Sequence, residues 1–411
     1  MSQILLITIS GEDHPGVTAG ITQILAGHGV NILDIGQAVI HATLSMGVLA
    51  EIPDDCDRQQ VSADVEACAE QQGMRAKISE VNAGSYGDWV EAQGRARYII
   101  TLLERKITAD QLARVTEVVS RHGLNIDGIN RLSGRIPLGE LPAFSKACVE
   151  FSVRGPLSDS PAFRRDLLEV AAALDVDLAF QQDNMYRRNR RLVAFDMDST
   201  LIEAEVIDEL AARAGVGDQV SAITERAMRG EIDFSESFRE RVALLEGLEE
   251  SALAEIASEL KITEGAEHLI STLRTLGYKT AILSGGFTYF AHFLQQRLGM
   301  DYVHANELDI RDGRVTGRVT GTIVDGERKA QLLRQLADAE GIDLQQVIAV
   351  GDGANDLPML STAGLGIAFR AKPLVKQSAE QSISTLGLDA ILYLLGFSDR
   401  DHGGELTLHE S

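Results

Sequence analysis

The chain has 411 residues, of which 45% are hydrophobic, and its 61 acidic side chains outnumber the 38 basic ones to give a net charge of −23. This length predicts two to four domains, and the charge argues against nucleic acid or an anionic membrane as a partner. No apolar run approaches the roughly 20 residues of a membrane helix, and the first residues lack the features of a signal peptide. Three cysteines outside any CxxC motif predict free thiols in a reducing compartment, so we expect a cytoplasmic protein.

The first half of the chain contains an internal repeat. Residues 21–36 align with residues 115–130, and both contain the pattern His-Gly-x-Asn-Ile. Each copy predicts the order strand, helix, strand, strand, helix, strand, which is the ferredoxin-like βαββαβ arrangement. We expect the two units to span residues 1–88 and 95–183. The predicted strands are 4–10, 31–39, 44–52 and 75–81 in the first unit, and 98–104, 125–132, 147–153 and 177–182 in the second.

A turn after the first strand carries a candidate ligand site. Asp-His-Pro-Gly stands at positions 13–16, and in a pair of such units it resembles the ACT family, whose modules bind amino acids at domain or subunit interfaces. The resemblance implies a regulatory amino acid near Asp13, Gly16 and Asn31, whereas Glu-Arg-Lys-Ile at positions 104–107 makes a ligand in the second unit less expected. A scaffold that only pairs two chains is the alternative, and both readings predict a homodimer.

The second half of the chain has a different pattern. A basic segment at 186–191 predicts a solvated linker. Strands then alternate with long helices, which is typical of a parallel α/β sheet of the Rossmann-like kind, expected over residues 190–398. The polar segment 399–411 predicts a frayed tail.

Two strands of this predicted sheet end in acidic residues. The apolar run 192–195 leads into Asp196 and Asp198, whose alternate positions place both side chains on one side of the strand. The run 347–350 leads into a Gly-Asp-Gly turn that contains Asp352. Carboxyl ends of strands form the ligand-binding edge of such sheets. Carboxylates that are held together repel one another, and a hard divalent cation relieves the repulsion.

A phosphate group would find its partners at the same edge. A third predicted strand ends in Ser284, Gly285 and Gly286, whose hydroxyl and amides at a helix start suit anionic oxygens. Lys329, near the start of another helix, can supply a compact positive charge. Four signals are then present in this order: the Asp-x-Asp motif, the Ser-Gly-Gly motif, the lysine and the Gly-Asp-Gly turn. Each is weak alone, but together they are specific.

This motif series, over about residues 192–397, resembles the haloacid dehalogenase-like hydrolases. The resemblance implies that Asp196 is the nucleophile and forms an aspartyl-phosphate, and that Asp198 is the general acid and base. It also implies Mg²⁺ bound by Asp196, Asp352 and the backbone carbonyl of Asp198. The remaining implied contacts comprise the phosphate ligands and their support, namely Ser284, Gly285, Lys329 and Asn355, with Asp356 behind them.

Residues from about 206 to 262 are rich in helix formers and predict a small helical cap over the site. The sequence around Glu205, Phe234 and Arg241 resembles the phosphoserine phosphatases in particular. Glu205 can pair with an α-ammonium group, Arg241 can hold an α-carboxylate through its planar fork, and Phe234 can shield both.

The resemblance therefore implies hydrolysis of O-phospho-L-serine to L-serine, the last step of serine biosynthesis. Since L-serine is the product of this reaction, it is the simplest choice for the regulatory amino acid. Another small phosphomonoester, or transfer of phosphate to an alcohol, is the enzymatic alternative. A non-catalytic amino-acid sensor is a third, but intact Asp196, Lys329 and Asp352 argue against it. A P-type ATPase also forms an aspartyl-phosphate, but it needs membrane helices, and no apolar run of this sequence is long enough to form one.

Overall fold

The computed structural model describes residues 3–137, 139 and 144–401. Two compact units make up the chain, one ending at Arg95 and the other beginning at Ala96. Within the described ranges, no helix is long and apolar enough to cross a membrane. All but the first few residues of the predicted tail lie outside the described residues.

The first unit is a four-stranded antiparallel sheet with the strand order β2-β3-β1-β4. Alternate side chains of β1 and β3 are buried against the apolar faces of two helices, which produces the predicted βαββαβ core. A third helix was not predicted, because none of its residues is buried and it carries no amphipathic signal. The elements are β1 (Gln3–Glu12), α1 (Val17–Gly27), β2 (Asn31–Ile40), β3 (Thr43–Ile52), α2 (Arg58–Gln71), β4 (Arg75–Val81) and α3 (Ala83–Gln93).

The second repeat has the same architecture, with the strand order β6-β7-β5-β8. Gly29 and Gly123 follow the first helix of the two repeats with φ angles of 65° and 69°, as the aligned sequences predict. The elements are β5 (Arg97–Glu104), α4 (Ala109–Arg121), β6 (Asn125–Arg131), β7 (Ala147–Arg154), α5 (Ser160–Leu174) and β8 (Asp177–Gln182).

The C-terminal half is the predicted α/β fold around a seven-stranded sheet with the order β12-β11-β10-β9-β13-β14-β15. All neighbours are parallel except β11 and β12, which form an antiparallel hairpin at one edge. The strands are β9 (Leu192–Phe195), β10 (Lys279–Phe287), β11 (Tyr302–Arg311), β12 (Arg314–Thr320), β13 (Val347–Gly351), β14 (Leu365–Phe369) and β15 (Gln381–Ile383). The helices outside the cap are α10 (Ala266–Thr275), α11 (Thr288–Leu298), α12 (Gly326–Glu340), α13 (Leu357–Thr362), α14 (Pro373–Ser378) and α15 (Ile391–Leu394).

Four helices form the predicted cap, and two short segments join it to the sheet. The amide of Glu203 donates to the carbonyl of Lys261 at 2.9 Å, the amide of Thr263 donates to the carbonyl of Leu201 at 3.0 Å, and a β-bridge lies between them. We call residues 201–203 and 261–263 the cap hinge. The cap helices are α6 (Val206–Ala214), α7 (Gly217–Met228), α8 (Phe234–Ala243) and α9 (Glu250–Glu259).

The basic segment between the second repeat and the sheet is not the solvated linker that its composition predicts. Arg187 is 2% exposed and pairs with the carboxylate of Glu150, and the buried Arg190 donates to the carbonyl of Gln345. Burial lowers the pKa of Arg190 to about 10. Composition alone could not show this, because the acceptors come from distant parts of the chain.

Two sheet edges meet through one side chain. The amide of Phe180 in β8 donates to Oε1 of Gln381 at 2.8 Å, and Nε2 of Gln381 donates to the carbonyl of Phe180 at 2.6 Å. The carboxamide of this β15 residue thus takes the place of a strand neighbour along β8, and an open edge is closed without a continuous sheet.

Gln381→Leu should lower the free energy of unfolding by about 1–3 kcal/mol, because the buried amide and carbonyl of Phe180 would lose their partner. Urea denaturation measures the change. Gln377→Leu is the matched control, since Gln377 is exposed in the neighbouring α14 and should change stability by less than about 0.5 kcal/mol. Equal effects of the two substitutions would contradict the role given to Gln381.

Candidate active site

The acidic motifs meet because their strands are neighbours. β9 lies in the middle of the sheet beside β13, and the two strands are parallel, so Asp196 and Asp352 both emerge at the carboxyl edge. The amide of Asp196 donates to the carbonyl of Val350 at 2.9 Å, which extends the strand pairing as far as the motif. The structure thus places both carboxylates at the edge where the sequence predicts them.

Lys329 forms the floor of the site. Its Nζ lies 2.9 Å from Oδ1 of Asp196 and 2.7 Å from Oδ1 of Asp356, and the side chains of Lys329 and Asp356 are wholly buried. Burial lowers the pKa of the Lys329 ammonium, but the two carboxylates outweigh this effect and the net pKa is raised. The lysine therefore remains charged at neutral pH and offsets part of the acidic cluster.

Asp356 shapes the turn as well as holding the lysine. Its Oδ2 accepts from the amides of Asp352 at 3.1 Å and Gly353 at 2.9 Å. A Cβ atom at Gly351 would overlap the carboxyl group of Asp356, so a residue without a side chain is needed there. Both oxygens of Asp356 are engaged by these contacts.

The three acidic side chains could hold a cation. Carboxylate oxygens of Asp196, Asp352 and Asp356 lie within 4.8 Å of one another, a candidate cluster among the residues that the structure describes. Burial, with the nearby Asp356 carboxylate, raises the pKa of Asp352 to about 7. Because Asp356 is already bound to Lys329 and to backbone amides, Asp196 and Asp352 are the carboxylates available to an ion. Oxygen donors of this kind suit a hard divalent cation.

Asp198 lies apart from that cluster and has a different environment. Its Oδ1 accepts from the amide of Val206, the first residue of α6, at 2.9 Å. Burial, followed by the Glu205 carboxylate, raises the pKa of Asp198 to about 7. A carboxyl group that gains and loses its proton near neutral pH is suited to general acid and base catalysis.

The cap encloses these groups. A cavity of about 870 Å³ lies between the cap and the carboxyl edge of the sheet. Its walls include eight of the residues that the sequence predicts for the site, namely Asp196, Asp198, Glu205, Phe234, Arg241, Gly285, Asp352 and Asn355. Ser284, Lys329 and Asp356 are buried in the wall behind it. The structure thus brings together every residue that the sequence assigns to catalysis, metal binding and substrate binding.

The cap side chains have defined supports. Oγ of Ser199 donates to Oε1 of Glu205 at 2.8 Å, from a backbone with φ of 55°. Phe234 lies against Gly285, where an added Cβ atom would be 3.1 Å from its ring. Among the described residues, the hydrogen bond found for the Arg241 side chain is a 3.4 Å contact from Nε to the carbonyl of Ser237 in its own helix. Most of the Arg241 guanidinium is therefore available to a ligand in the cavity.

Asn306 is a supporting residue that the motifs do not reveal. Its Nδ2 donates to the carbonyl of Gly285 at 2.8 Å, and its Oδ1 accepts from the amide of Val324 at 2.8 Å. It is buried in β11 and fixes the end of β10 that carries Gly285. A single asparagine inside a strand offers no spacing signal, so sequence reasoning could not have found it.

The Ser-Gly-Gly motif lies in a different element from the one expected. β10 continues through Phe287 and α11 begins only at Thr288, so Gly285 and Gly286 extend the strand instead of starting the helix. Oγ of Ser284 accepts from the amide of Gly286 at 2.9 Å. Gly286 packs closely against Asp198, since an added Cβ atom would lie 2.5 Å from its Oδ2.

The predicted regulatory residues do not form one site within the first unit. Gly16 begins α1 with φ of 104°, close to Asp13 in the chain. Asn31, however, pairs with Glu51, while the end of β1 near Asp13 pairs with Thr43. Eight positions of β3 separate the two ends (51 − 43), which is about 26 Å at roughly 3.3 Å per residue.

Comparison with known proteins identifies two families in the chain. Residues 190–364 match the haloacid dehalogenase-like hydrolase family, and residues 3–79 match the ACT domain family. A phosphoserine phosphatase of Streptomyces coelicolor is 42% identical over 394 residues, which is 96% of this chain and 92% of the relative. The phosphoserine phosphatase SerB2 of Mycobacterium tuberculosis is 42% identical over 393 residues, 95% of this chain and 93% of the relative.

Solved structures give the same result. A HAD family hydrolase from Salmonella enterica serovar Typhi has a TM-score of 0.63 at 31% identity, over 72% of this chain and 98% of its own. A probable phosphoserine phosphatase from Vibrio cholerae, in an unliganded form, has a TM-score of 0.59 at 34% identity, over 74% of this chain and 88% of its own.

Lys329→Met should destabilise the protein by about 3–5 kcal/mol at pH 8, because buried carboxylates would lose their counter-charge. Burial already raises the pKa of Asp196 well above its ordinary value, and Lys329 opposes that rise. A carboxyl group with a raised pKa in the folded state binds its proton more tightly there. Stability that is present below about pH 4 is then lost as the pH rises through the raised value.

The deficit of this variant should therefore be smaller at pH 5.5 than at pH 8, as measured by urea unfolding in the presence of EDTA. Lys279→Met is the matched control, since Lys279 also faces two acidic groups, Asp301 and Glu340, but is 41% exposed. It should cost about 0–1 kcal/mol. A deficit in Lys329→Met that is small and independent of pH would contradict this account of the floor of the site.

Proposed function

Because the chain belongs to the phosphoserine phosphatase family, we propose that it hydrolyses O-phospho-L-serine to L-serine and phosphate through an aspartyl-phosphate on Asp196. The observation that carries the proposal is the pairing of Asp196 with the buried Lys329 at the floor of a cavity whose other walls include Glu205 and Arg241. One end of that cavity suits a phosphate, and the other suits a zwitterionic amino acid. The reaction would complete the synthesis of L-serine, in the cytoplasm, where the three free cysteines stay reduced.

Asp196 is oriented for attack. Its Oδ1 accepts from the amide of Met197 at 2.7 Å and contacts Lys329, so we assign the attack to its second oxygen. In the first step a bond forms between this oxygen and phosphorus, while the bond from phosphorus to the serine oxygen breaks. Asp198 gives its proton to the departing serine oxygen, which its pKa of about 7 allows.

The second step returns the enzyme to its starting state. Asp198, now a carboxylate, takes a proton from a water molecule, whose oxygen attacks phosphorus and displaces Asp196. The hydroxyl of Ser284 accepts from the amide of Gly286, so its own hydrogen is free to contact a phosphoryl oxygen. Lys329 supplies a charge that offsets the added negative charge of the phosphoryl group.

The cluster of carboxylates fits Mg²⁺. Asp196, Asp352 and the backbone carbonyl of Asp198 would hold it, while Asp356 keeps its contacts with Lys329 and the turn amides. When bound, the ion supplies positive charge that stabilises the phosphoryl oxygens and helps to hold the reacting groups in line. Burial, followed by the carboxylates of Asp356 and Glu205, raises the pKa of Asp352 to about 7, and a bound cation would favour its charged form.

Recognition of serine is assigned to the cap side of the cavity. Arg241 would bind the α-carboxylate and Glu205 the α-ammonium, with Phe234 covering both. Burial lowers the pKa of Arg241, and the nearby carboxylates of Asp208, Glu205 and Asp198 partly oppose this effect. Asn355 lines the opposite wall, where it can contact the phosphate end of the substrate.

We also propose that the first unit binds L-serine as a regulator and that the chain forms a homodimer. The edge strand β2 exposes four large apolar side chains, Ile32, Ile35, Val39 and Ile40. An exposed apolar edge favours pairing with a second chain. Because Asn31 lies far from Asp13 within one unit, it can contribute to the same ligand only from another copy.

Phosphate release from a panel of phosphomonoesters tests the activity. We expect O-phospho-L-serine to be the best substrate, with activity that depends on Mg²⁺ and is lost with EDTA. Asp196→Asn should lower turnover by at least ~10³-fold and leave the fold intact, because the nucleophile is removed. Turnover by this variant near that of the wild type would contradict the covalent mechanism.

Arg241→Ala should lower kcat/KM for O-phospho-L-serine by about 10- to 100-fold, or roughly 1.4–2.8 kcal/mol, because the α-carboxylate loses its charged partner. O-phosphoethanolamine lacks that carboxylate, so its turnover should change by less than about threefold. Arg239→Ala, on the exposed side of the same helix, is the control. Equal losses on both esters would show that Arg241 supports the cap instead of binding the carboxylate.

Added L-serine should alter activity through the first unit. Asp13→Ala should shift the response curve, whereas Asp88→Ala, at an exposed position in α3, should not. Serine that binds in the catalytic cavity would inhibit the wild type, Asp13→Ala and Asp88→Ala to the same extent. Identical titration curves for the wild type and both variants would therefore contradict a regulatory site at Asp13 and leave product inhibition.

Sedimentation velocity tests the homodimer, which should dissociate when Ile35 and Ile40 are both replaced by serine.

A further inference from the structure

The second repeat lies against the segment on which the cap is mounted. The chain enters and leaves the cap through the two segments of its hinge, and Glu264 follows the second of them directly. The connection between α8 and α9 also contacts β12, where the amide of Gly247 donates to the carbonyl of Val315 at 2.8 Å. The carbonyl of Glu264 accepts from the amide of Leu388 at 2.8 Å, which anchors its backbone in the core. Glu264 thus marks the point where the hinge ends and the fixed part of the fold begins.

Arg105 of the second repeat holds this point with a forked contact. Its Nη1 and Nη2 donate to the two carboxylate oxygens of Glu264 at 2.9 and 2.8 Å. The guanidinium also donates to the carbonyl of Ser145 at 3.2 Å, and the Ser145 hydroxyl donates to the carbonyl of Arg105 at 3.3 Å. Both side chains of the ion pair are mostly shielded, with 27% and 19% exposed. A bidentate pair in this setting fixes orientation as well as adding energy.

A second arginine connects the other strand of the hinge. Nη2 of Arg370 lies 2.9 Å from Glu264, and its Nη1 lies 3.8 Å from Glu203. Glu203 is also paired with Lys261 across the hinge. We call these five residues the hinge network: Arg105, Glu203, Lys261, Glu264 and Arg370.

The second repeat is well placed to act as a fixed support. Oδ2 of Asp177 accepts from the amides of Ser384 at 2.7 Å and Thr385 at 2.8 Å. Nζ of Lys146 lies 2.6 Å from the carboxylate of Asp389. These contacts hold the repeat on the core independently of Arg105. Because Arg370 joins the carboxylate of Glu264 to that of Glu203 in the hinge, movement of the hinge relative to the core must strain the network that Arg105 helps to hold.

We propose that Arg105 is a positioning residue of the phosphatase reaction, which acts through Glu264 to hold the cap hinge where Phe234 and Arg241 lie over Asp196. It stands in the turn after the first strand, where the first unit has its candidate ligand turn. The second repeat uses this turn for a contact with the catalytic domain. The part of this proposal that concerns substrate turnover rests on the proposed function, whereas the part that concerns the position of the hinge does not.

Hydrogen–deuterium exchange of the full chain tests the structural part without any substrate. Arg105→Ala should speed exchange of peptides from the cap hinge and from α7 and α8 by about fivefold, because a partly shielded bidentate pair is worth roughly 1 kcal/mol. Peptides from β5 and β13 should keep the wild-type rates. Arg105→Lys should restore only part of the protection, since an ammonium group cannot form the fork. Lys106→Ala, the exposed neighbour, is the control.

A double-mutant cycle identifies the path. In a Glu264→Gln background, Arg105→Ala should have little further effect on hinge exchange, because the two residues act as one pair. In the wild-type background, Arg105→Ala should raise KM for O-phospho-L-serine by about fivefold. Turnover of p-nitrophenyl phosphate, which has no α-carboxylate for Arg241 to bind, should change by less than about twofold.

The outcomes are separable. Hinge exchange equal to that of Lys106→Ala, or faster exchange spread over the whole chain, would overturn the proposal and leave Arg105 as an ordinary docking contact. Faster hinge exchange with equal effects on both esters would overturn its kinetic part. If the wild type fails to hydrolyse O-phospho-L-serine at all, the proposed function fails, and the exchange data still decide what Arg105 does to the hinge.

Discussion

The catalytic edge depends on one ammonium group buried between two carboxylates. Lys329 is the counter-charge that favours the anionic form of Asp196 at a buried position, and Asp356 holds the lysine from the other side. The same Asp356 holds the turn that carries Asp352, so charge balance and backbone shape depend on a single carboxyl group. The parallel pairing of β9 with β13 supplies the positions, and the lysine makes them energetically tolerable.

The sequence predicts this edge well because the physics is local and repetitive. A strand period of two, the ligand-binding edge of a parallel sheet and the glycines of a tight turn together determine where Asp196, Asp198 and Asp352 meet. The second repeat was equally readable, since its His-Gly-x-Asn-Ile pattern aligns residue by residue with the first. In both cases the local sequence pattern predicts the positions of the strands and helices, and contacts between distant residues do not change them.

What the sequence could not show depends on partners that are distant in the chain. The arginines at 187 and 190 look solvated until Glu150 and the carbonyl of Gln345 are brought beside them. Asn31 seems close to Asp13 because one helix separates them in sequence, yet the strand register places them at opposite ends of the sheet. Asn306 and Glu264 carry no motif at all, because their roles come from sheet order and from the packing of the second repeat.

The carboxamide that joins β8 to β15 has a consequence for how the chain is made. Gln381 and Phe180 are 201 residues apart, so β8 is synthesised long before the side chain that closes its edge. At about 5–20 residues per second, roughly 10–40 s pass between the two events. During that interval the nascent chain presents an unpaired strand edge, which is the feature that neighbouring polypeptides on a polysome can pair with. The time for which the amide and carbonyl of Phe180 stay unpaired during translation thus depends on the position of one glutamine near the end of the fold.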